Sequence, residues 1–405
     1  MIKTKEYFAA LAKKFSDNDA LLDESGVRFK YSDIEIISKS EFFQSLDRKL
    51  IICKLTNDPD CLALYFSLLA SGAIPLLVSA DINEDEYLKL LNAYCPAAEL
   101  IQKVEKNSAT DQFTHSSIKN FTVKTINSDP FNYPIDDELA LLLPTSGSTG
   151  SAKYVRVSHE NIISNTDAIS AYLQIKESDT VITTLPPNYS YGASVLHTHF
   201  SRGSSIVVTK SSLIEKEFWK LLNEHKVTTF NGVPFHYEML MRLKFDKKYL
   251  PNLRVLTQAG GHLKSELKGY FIDYCIANNK SFYVMYGQTE ASPRISYITF
   301  PDLLDATDSI GSGIDNCKLF LVNENNEEIF KSNTVGELNV MGKNITMGYS
   351  HTFKDLAESN EFKGLLKTGD LAYYDEKNRF YIVGRMSRFV KIVGKRINLD
   401  DLQNI

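Results

Sequence analysis

At 405 residues, the chain is long enough for roughly two to four domains of ordinary size. With 43% hydrophobic and 23% charged residues it can bury a sizeable core. A net charge of −5 argues against a nucleic-acid partner, which asks for a basic excess, but leaves small polyanions open, because a few local donors hold a phosphate.

The opening stretch "MIKTKEYFAALAKKFSDND" lacks the apolar core of a signal peptide, and "KTKEYFAALAKKF" within it predicts an amphipathic helix. "KLIICKL" predicts a strand and "EDEYLKLLNAY" a helix. Between them, the uncharged run from Leu62 to Ala80 approaches the length of a membrane span. Gly72 and Pro75 interrupt it, so the reading is a helix ending near Ser71, a glycine turn, and a buried strand from Ile74 to Val78. No membrane span is expected.

"ELALLLP" is a buried strand, "YVRVS" a second, and "HENIISNTDAISAYL" a helix. The same grammar continues. "TVITTLP", "SSIVVTK", "VTTFNGV", "LRVLTQAGG" and "SFYVMYG" are strands. "EKEFWKLLNEH", "YEMLMRL" and "SELKGYFIDYCIAN" are helices. Strands alternating with helices imply mainly parallel sheets. After about Pro301, short strands separated by Asn, Asp and Gly take over, the texture of an antiparallel module. The predicted class is α/β: two α/β lobes with mainly parallel sheets plus a small antiparallel β subdomain. The expected boundaries are 1–180, 181–300, 301–383, and 384–405 as a hinge and the start of a further domain.

Five cysteines, an odd number with no metal-ligand spacing, fit reduced, buried thiols of a cytoplasmic protein.

The loop "TSGSTGSAK" (Thr145 to Lys153) leaves the strand "ELALLLP". It is no Walker A loop: Gly147 and Gly150 are three apart, and Tyr154 follows Lys153. Its physics is related. Gly147 and Gly150 let the backbone N–H groups curl toward one anion. Thr145, Ser146, Ser148 and Thr149 add hydroxyl donors, and Lys153 adds positive charge. Taken alone, it fits an exposed Ser/Gly turn equally well.

Further motifs follow in order: "YGQTE" from Tyr286, "GELNVMGKNITMGY" from Gly336, "KTGDL" from Lys367 and "GRMSRFVKIVGKRI" from Gly384. With the loop, they resemble the adenylate-forming superfamily of acyl-CoA synthetases, peptide-synthetase adenylation domains and luciferases. The resemblance runs from about Leu62 to the end. It implies an AMP-forming ligase. Such an enzyme joins a small carboxylic acid to ATP as acyl-AMP, releases pyrophosphate, and passes the acyl group to a thiol of coenzyme A or of a phosphopantetheine carrier protein.

Residue by residue, the resemblance implies that Thr145 to Lys153 wrap the outer phosphates. Gly260 and Gly261 wall the adenine slot, and Tyr286, with Gly287 after it, lies against the base. Thr289 meets the α-phosphate region, Glu290 holds Mg²⁺, and Asp370 accepts from the ribose hydroxyls. Arg385 reaches ribose or phosphate, and Ser387 and Lys391 mark the hinge. Singly, Tyr286 fits core packing, Glu290 a helix first turn, Asp370 a turn, and Arg385 and Lys391 surface charge.

This sequence departs from the family at Ala152, Tyr154 and Ser387, where Pro, Gly and an acidic residue are usual. It stops at Ile405, where the family continues into a lid carrying a catalytic lysine. The expectation is a chain that binds nucleotide but adenylates poorly until a lid is appended.

"LPPNYSYGASVLHTHF" is the expected acid pocket, with Tyr189 and Tyr191 facing the substrate. No Asp or Glu occurs between Asp179 and Glu215, so a substrate ammonium would lack a partner. That lowers the amino-acid reading, and Tyr189, Ser190 and Tyr191, polar with aromatic bodies, favour a small or medium, partly polar acid over a long fatty acid. His197 and His199, two apart, are expected to pack on a helix rather than act together. An amino-acid adenylation enzyme and a nucleotide-binding pseudo-enzyme remain the alternative readings.

Overall fold

The computed structural model describes residues 2–103, 113, 116–126, 133–145, 153–386, 389–392 and 395–398, the last two segments as backbone.

Three sheets carry most of the described residues, and Phe389–Ile392 pairs with Lys395–Asn398 in a separate two-stranded sheet. In a seven-stranded sheet, Leu139–Pro144, Ile74–Ser79, Leu50–Leu55 and Ala98–Gln102 lie side by side and parallel. The first three are buried almost throughout, as a sheet covered on both faces requires, while Ala98–Gln102 alternates buried with half-buried residues. Antiparallel strands close both edges. A nine-stranded sheet has six parallel central strands, from Asp19–Asp23 across to Ser281–Gly287. Cys317–Val322, Gly336–Gly342, Leu365–Tyr374 and Phe380–Arg385 form a four-stranded antiparallel sheet. The predicted α/β class and the antiparallel module are therefore present.

The sheets do not follow the chain in blocks. Asp19–Asp23 pairs with Ser205–Val207, so the hairpin it forms with Gly26–Lys30 belongs to the nine-stranded sheet. Arg294–Ile298 and Ser312–Gly313 extend that sheet beyond residue 300. Gly348–Ser350 crosses back to pair with Tyr154–Ser158. The strand Phe380–Arg385 continues past residue 383. Edge strands are recruited by whichever open edge lies nearby, and sequence order does not specify that edge.

Pro59–Ser71 is a helix because Asp58 caps it, Pro59 occupies its first turn and Gly72 ends it. Gly72 adopts φ +89°, the left-handed conformation that closes a helix, and the strand Ile74–Ser79 follows. Among the described residues, no helix is long and apolar enough to cross a membrane.

The helices His159–Tyr172 and Ser190–Ser201 lie between the two large sheets. Every residue of Ser190–Ser201 is buried. Phe66 and Phe200 stack at 4.1 Å within this interior. His197 shares a 2.8 Å hydrogen bond with the Tyr65 hydroxyl, and His199 Nδ1 bonds the Val195 carbonyl at 2.9 Å. Both histidines are packing residues. The five cysteines are free; Cys53, Cys61 and Cys275 are buried, while Cys95 and Cys317 are half-buried.

Candidate functional site

The strands Leu139–Pro144 and Tyr154–Ser158 pair with Pro144 opposite Tyr154. Thr145 and Lys153 therefore face each other at the stem of the intervening loop, where the Thr145 N–H donates to the Lys153 carbonyl at 3.4 Å. Ser146, Gly147, Ser148, Thr149 and Gly150 lie outside the described residues, as does Ser387.

The Lys153 ammonium stands 3.4 Å over the Tyr349 ring. Gly348–Ser350 adds to the outer edge of Tyr154–Ser158 with Tyr349 opposite Val155, which brings that ring to the loop stem. The Tyr349 hydroxyl donates to Glu290 Oε1 at 3.0 Å. Burial and the Glu290 charge raise the Tyr349 pKa, so the phenol keeps its proton at neutral pH. Lysine, tyrosine and glutamate thus form one line.

Glu290 sits in the turn Thr289–Ala291 after the strand Ser281–Gly287. Its carbonyl accepts from both the N–H and the hydroxyl of Thr346, at 3.1 and 3.0 Å. Thr289 Oγ1 lies 3.2 Å from Ser190 Oγ. Three buried asparagines brace this turn. Asn165 and Asn344 both donate to the carbonyls of Ala291 and Arg294, and Asn161 donates to those of Lys343 and Ile345. Asn161 and Asn165, four apart on one helix face, meet both loops.

At the other end of the turn, the Tyr286 hydroxyl donates to Asp370 Oδ2 at 2.5 Å. Gln288 Nε2 reaches the same oxygen at 3.0 Å, and Arg385 Nε donates to Oδ1 at 3.0 Å. Asp370 and Arg385 are direct neighbours across the hairpin Leu365–Tyr374/Phe380–Arg385. Asp370 is 3% exposed, whereas the Arg385 side chain is 61% exposed. Burial and the Asp370 charge hold the Tyr286 phenol well above its ordinary pKa. Gly287 pairs with Arg294 in the adjacent strand.

Gly260 and Gly261 follow the strand Val255–Gln258. Gly260 has φ +82°, and a Cβ there would fall 2.6 Å from the Tyr189 hydroxyl. Tyr189 thus lies against the glycine pair. Tyr191 does not offer its hydroxyl to a ligand: it is 3% exposed and bonds Thr257, at 2.7 Å to Oγ1 and 3.2 Å to the carbonyl. Burial pushes its pKa up to about 12. The expected substrate contact at Tyr191 is therefore a sheet contact here, because a buried phenol must find a fixed partner. Lys391 lies in the strand Phe389–Ile392, opposite Arg396.

A cavity of about 530 Å³ opens between the lobes. Pro186, Pro187 and Asn188 of the expected pocket segment line it, with Lys210, Phe235 and Met239. Sequence reasoning missed most of this lining, which comes from separate segments. It also missed Gln288, Tyr349 and the asparagine brace, although Tyr349 and Asn344 lie inside a quoted motif.

Among the described residues, no three His, Cys, Asp or Glu side chains gather as a metal cage. A single carboxylate such as Glu290 is compatible with magnesium, which takes one or two carboxylates and completes its shell with phosphates and water.

The family model for AMP-binding enzymes matches residues 47–350. The chain is 26% identical over 284 residues to luciferin 4-monooxygenase of Luciola mingrelica, covering 67% of this chain and 50% of that protein. It is 28% identical over 389 residues to probable 4-coumarate–CoA ligase 1 of Dictyostelium discoideum, covering 86% of this chain and 69% of that one. It thus spans about half to seven-tenths of the length of these relatives. The structure of O-succinylbenzoate coenzyme A synthetase of Bacillus subtilis with ATP and magnesium superimposes with a TM-score of 0.76 at 19% identity, covering 97% of this chain and 82% of that one. Sequence motifs, fold and the matched family model agree: the chain belongs to the AMP-binding enzyme family.

Proposed function

We propose that this chain carries the nucleotide and acid sites of an ATP-dependent acid–thiol ligase. The observation that carries the reading is the Tyr286–Glu290 turn, which joins the Asp370 cluster at one end to the Lys153–Tyr349–Glu290 line at the other. In this reading Asp370 accepts from the ribose, with Arg385 at the rim. Tyr286, Gly260 and Gly261 border the base. The Thr145–Lys153 loop grips the outer phosphates, and Thr289 meets the α-phosphate.

The substrate carboxylate is ionised at neutral pH, since carboxyl pKa values lie near 4, so no general base is needed. What the reaction needs is relief of negative charge as one anion attacks another. Magnesium held by Glu290 would supply Lewis acidity and charge neutralisation. The chain's own contribution is to fix Lys153 over Tyr349 and to hold Glu290 by the Tyr349 hydroxyl. The hydroxyls of Ser190 and Thr289 are kept at the turn.

Coenzyme A is the favoured thiol, because relatives named as CoA ligases match most of the chain. A carrier protein is the other candidate. The absence of Asp and Glu from residues 180–214 speaks against an amino-acid substrate. ATP–pyrophosphate exchange with pooled carboxylic acids and pooled amino acids, run beside nucleotide titration, tests the reading. Exchange driven by the acid pool supports it; a chain that binds no nucleotide sinks it.

A further inference from the structure

Arg156 and Arg294 are the largest fully buried polar side chains. Arg156 is satisfied. It donates to the carbonyls of Tyr349, Met347, Glu358 and Ser359 and pairs with Glu361 at 3.1 Å. Arg294, 2% exposed, makes no ion pair among the described residues, and its Nε donor has no partner.

The neighbours of Arg294 are phenols. Its guanidinium carbon lies 5.0 Å from the centroid of the Tyr191 ring. The Tyr172 hydroxyl is spent on Met285 Sδ at 2.9 Å, and the Arg294 charge opposes the effect of burial on Tyr172, Tyr189 and Tyr191. A second orphan donor lies on the far side of Tyr191. That hydroxyl bonds Thr257, Thr257 bonds Asn231 Oδ1 at 2.6 Å, and Asn231 Nδ2 is buried without a partner.

A guanidinium cannot shed its proton to escape burial. An aromatic face offsets only part of the desolvation of a cation. The charge and the spare donors ask for an anion, and none of the described residues supplies one.

The position bears on the reaction. Tyr191 follows Ser190, whose hydroxyl meets Thr289, and Arg294 opens the strand five residues after Thr289, its carbonyl held by Asn165 and Asn344. We propose that Arg294 selects the acid by holding a second carboxylate, so that the substrate is a short dicarboxylic acid. One carboxylate reacts near Ser190 and Thr289 while the other meets Arg294. This rests on the adenylation reading above and specifies its substrate class.

The test is ATP–pyrophosphate exchange by this chain with matched pairs, succinate against butyrate and glutarate against pentanoate. Thermal stabilisation by each acid in the presence of ATP gives a second readout that does not need turnover. A diacid preference of at least about a hundredfold is expected, since a site with an unpaired buried charge rejects the ligand that fails to pair it. Arg294→Gln should collapse that preference through the KM for the diacid and leave the KM for ATP unchanged. Arg294→Lys, which keeps the charge, should retain part of it.

Monoacids that match diacids in exchange and in stabilisation would overturn the proposal. So would stabilisation by neither class, or an Arg294→Gln variant that merely admits longer monoacids, since Arg294 would then be a packing plug. The wild-type preference is read without any variant, so a misfolded variant does not blunt the test. Loss of ATP binding altogether would instead overturn the adenylation reading.

Discussion

The Tyr349 hydroxyl lies 3.0 Å from Glu290 Oε1, although 59 residues separate them, and the same ring carries the Lys153 ammonium on its face. One side chain thus ties a loop-stem cation to the carboxylate assigned to magnesium. Tyr349→Phe keeps the ring under Lys153 and removes only the bond to Glu290. It should raise the magnesium concentration needed for half-maximal exchange several-fold and cost about 1 kcal/mol of stability. Glu290→Gln should lower the exchange rate by about a hundredfold or more. Magnesium titrations of the two variants separate these effects; an unchanged magnesium requirement in both would remove Glu290 from the metal.

Asp370 accepts from Tyr286, Gln288 and Arg385 at once. In Asp370→Asn, the new amide N–H₂ must face a donor, leaving at least one buried group unpaired. The expected cost is about 1–3 kcal/mol in urea denaturation, with nucleotide affinity down about tenfold or more. Arg385→Gln should cost under about 1 kcal/mol in stability, because that guanidinium is largely solvated. Equal stability losses in the two variants would contradict the assignment of Asp370 as the centre of the cluster.

Asn165 and Asn344 converge on the same two carbonyls, of Ala291 and Arg294. Each Ala substitution should destabilise by about 1–3 kcal/mol. Because they share partners, the double mutant should deviate from additivity by about 0.5 kcal/mol or more. A double-mutant cycle by urea denaturation measures this; strict additivity would show that the two asparagines act separately.

His159, His197 and His199 are each held down to about 4 from 6.5 by burial, the first also by nearby Arg48 and Lys3. The Thr4 N–H and hydroxyl meet His159 Nδ1, a bond from the N–H that requires that nitrogen unprotonated. The folded state binds these protons more weakly than the unfolded chain. Their stabilisation is therefore complete above pH 6.5 and is lost as pH falls from 6.5 through 4. Each histidine should remove on the order of 1 kcal/mol by pH 5.5. Denaturation midpoints should fall steeply between pH 7 and 5, and His197→Phe should flatten that slope in part, since His236 and His262 are depressed by burial as well. A profile flat over this interval would show that the histidines accept protons without unfolding.

Apolar runs broken at Gly72 and Pro75 were sufficient to end a helix at Ser71 and to place a strand from Ile74 to Val78, one residue short of the observed Ile74–Ser79, because periodicity and backbone breakers act locally. The ordered motifs likewise named Thr145, Lys153, Glu290 and Asp370 as candidates, through the family resemblance that they carry together. Partnership is not local. Tyr286 meets Asp370 across 84 residues, and the strand Asp19–Asp23 finds its parallel neighbour at Ser205–Val207. The sequence by itself determined which segments could be helix or strand and which side chains carried charge or hydroxyls. Only the tertiary structure decided that the Tyr191 hydroxyl is spent on Thr257, that Asp370 is held by three donors, and that Arg294 is buried with no counter-charge among the described residues. Burial and charge compensation depend on neighbours distant in the chain, and a chain's order does not list them.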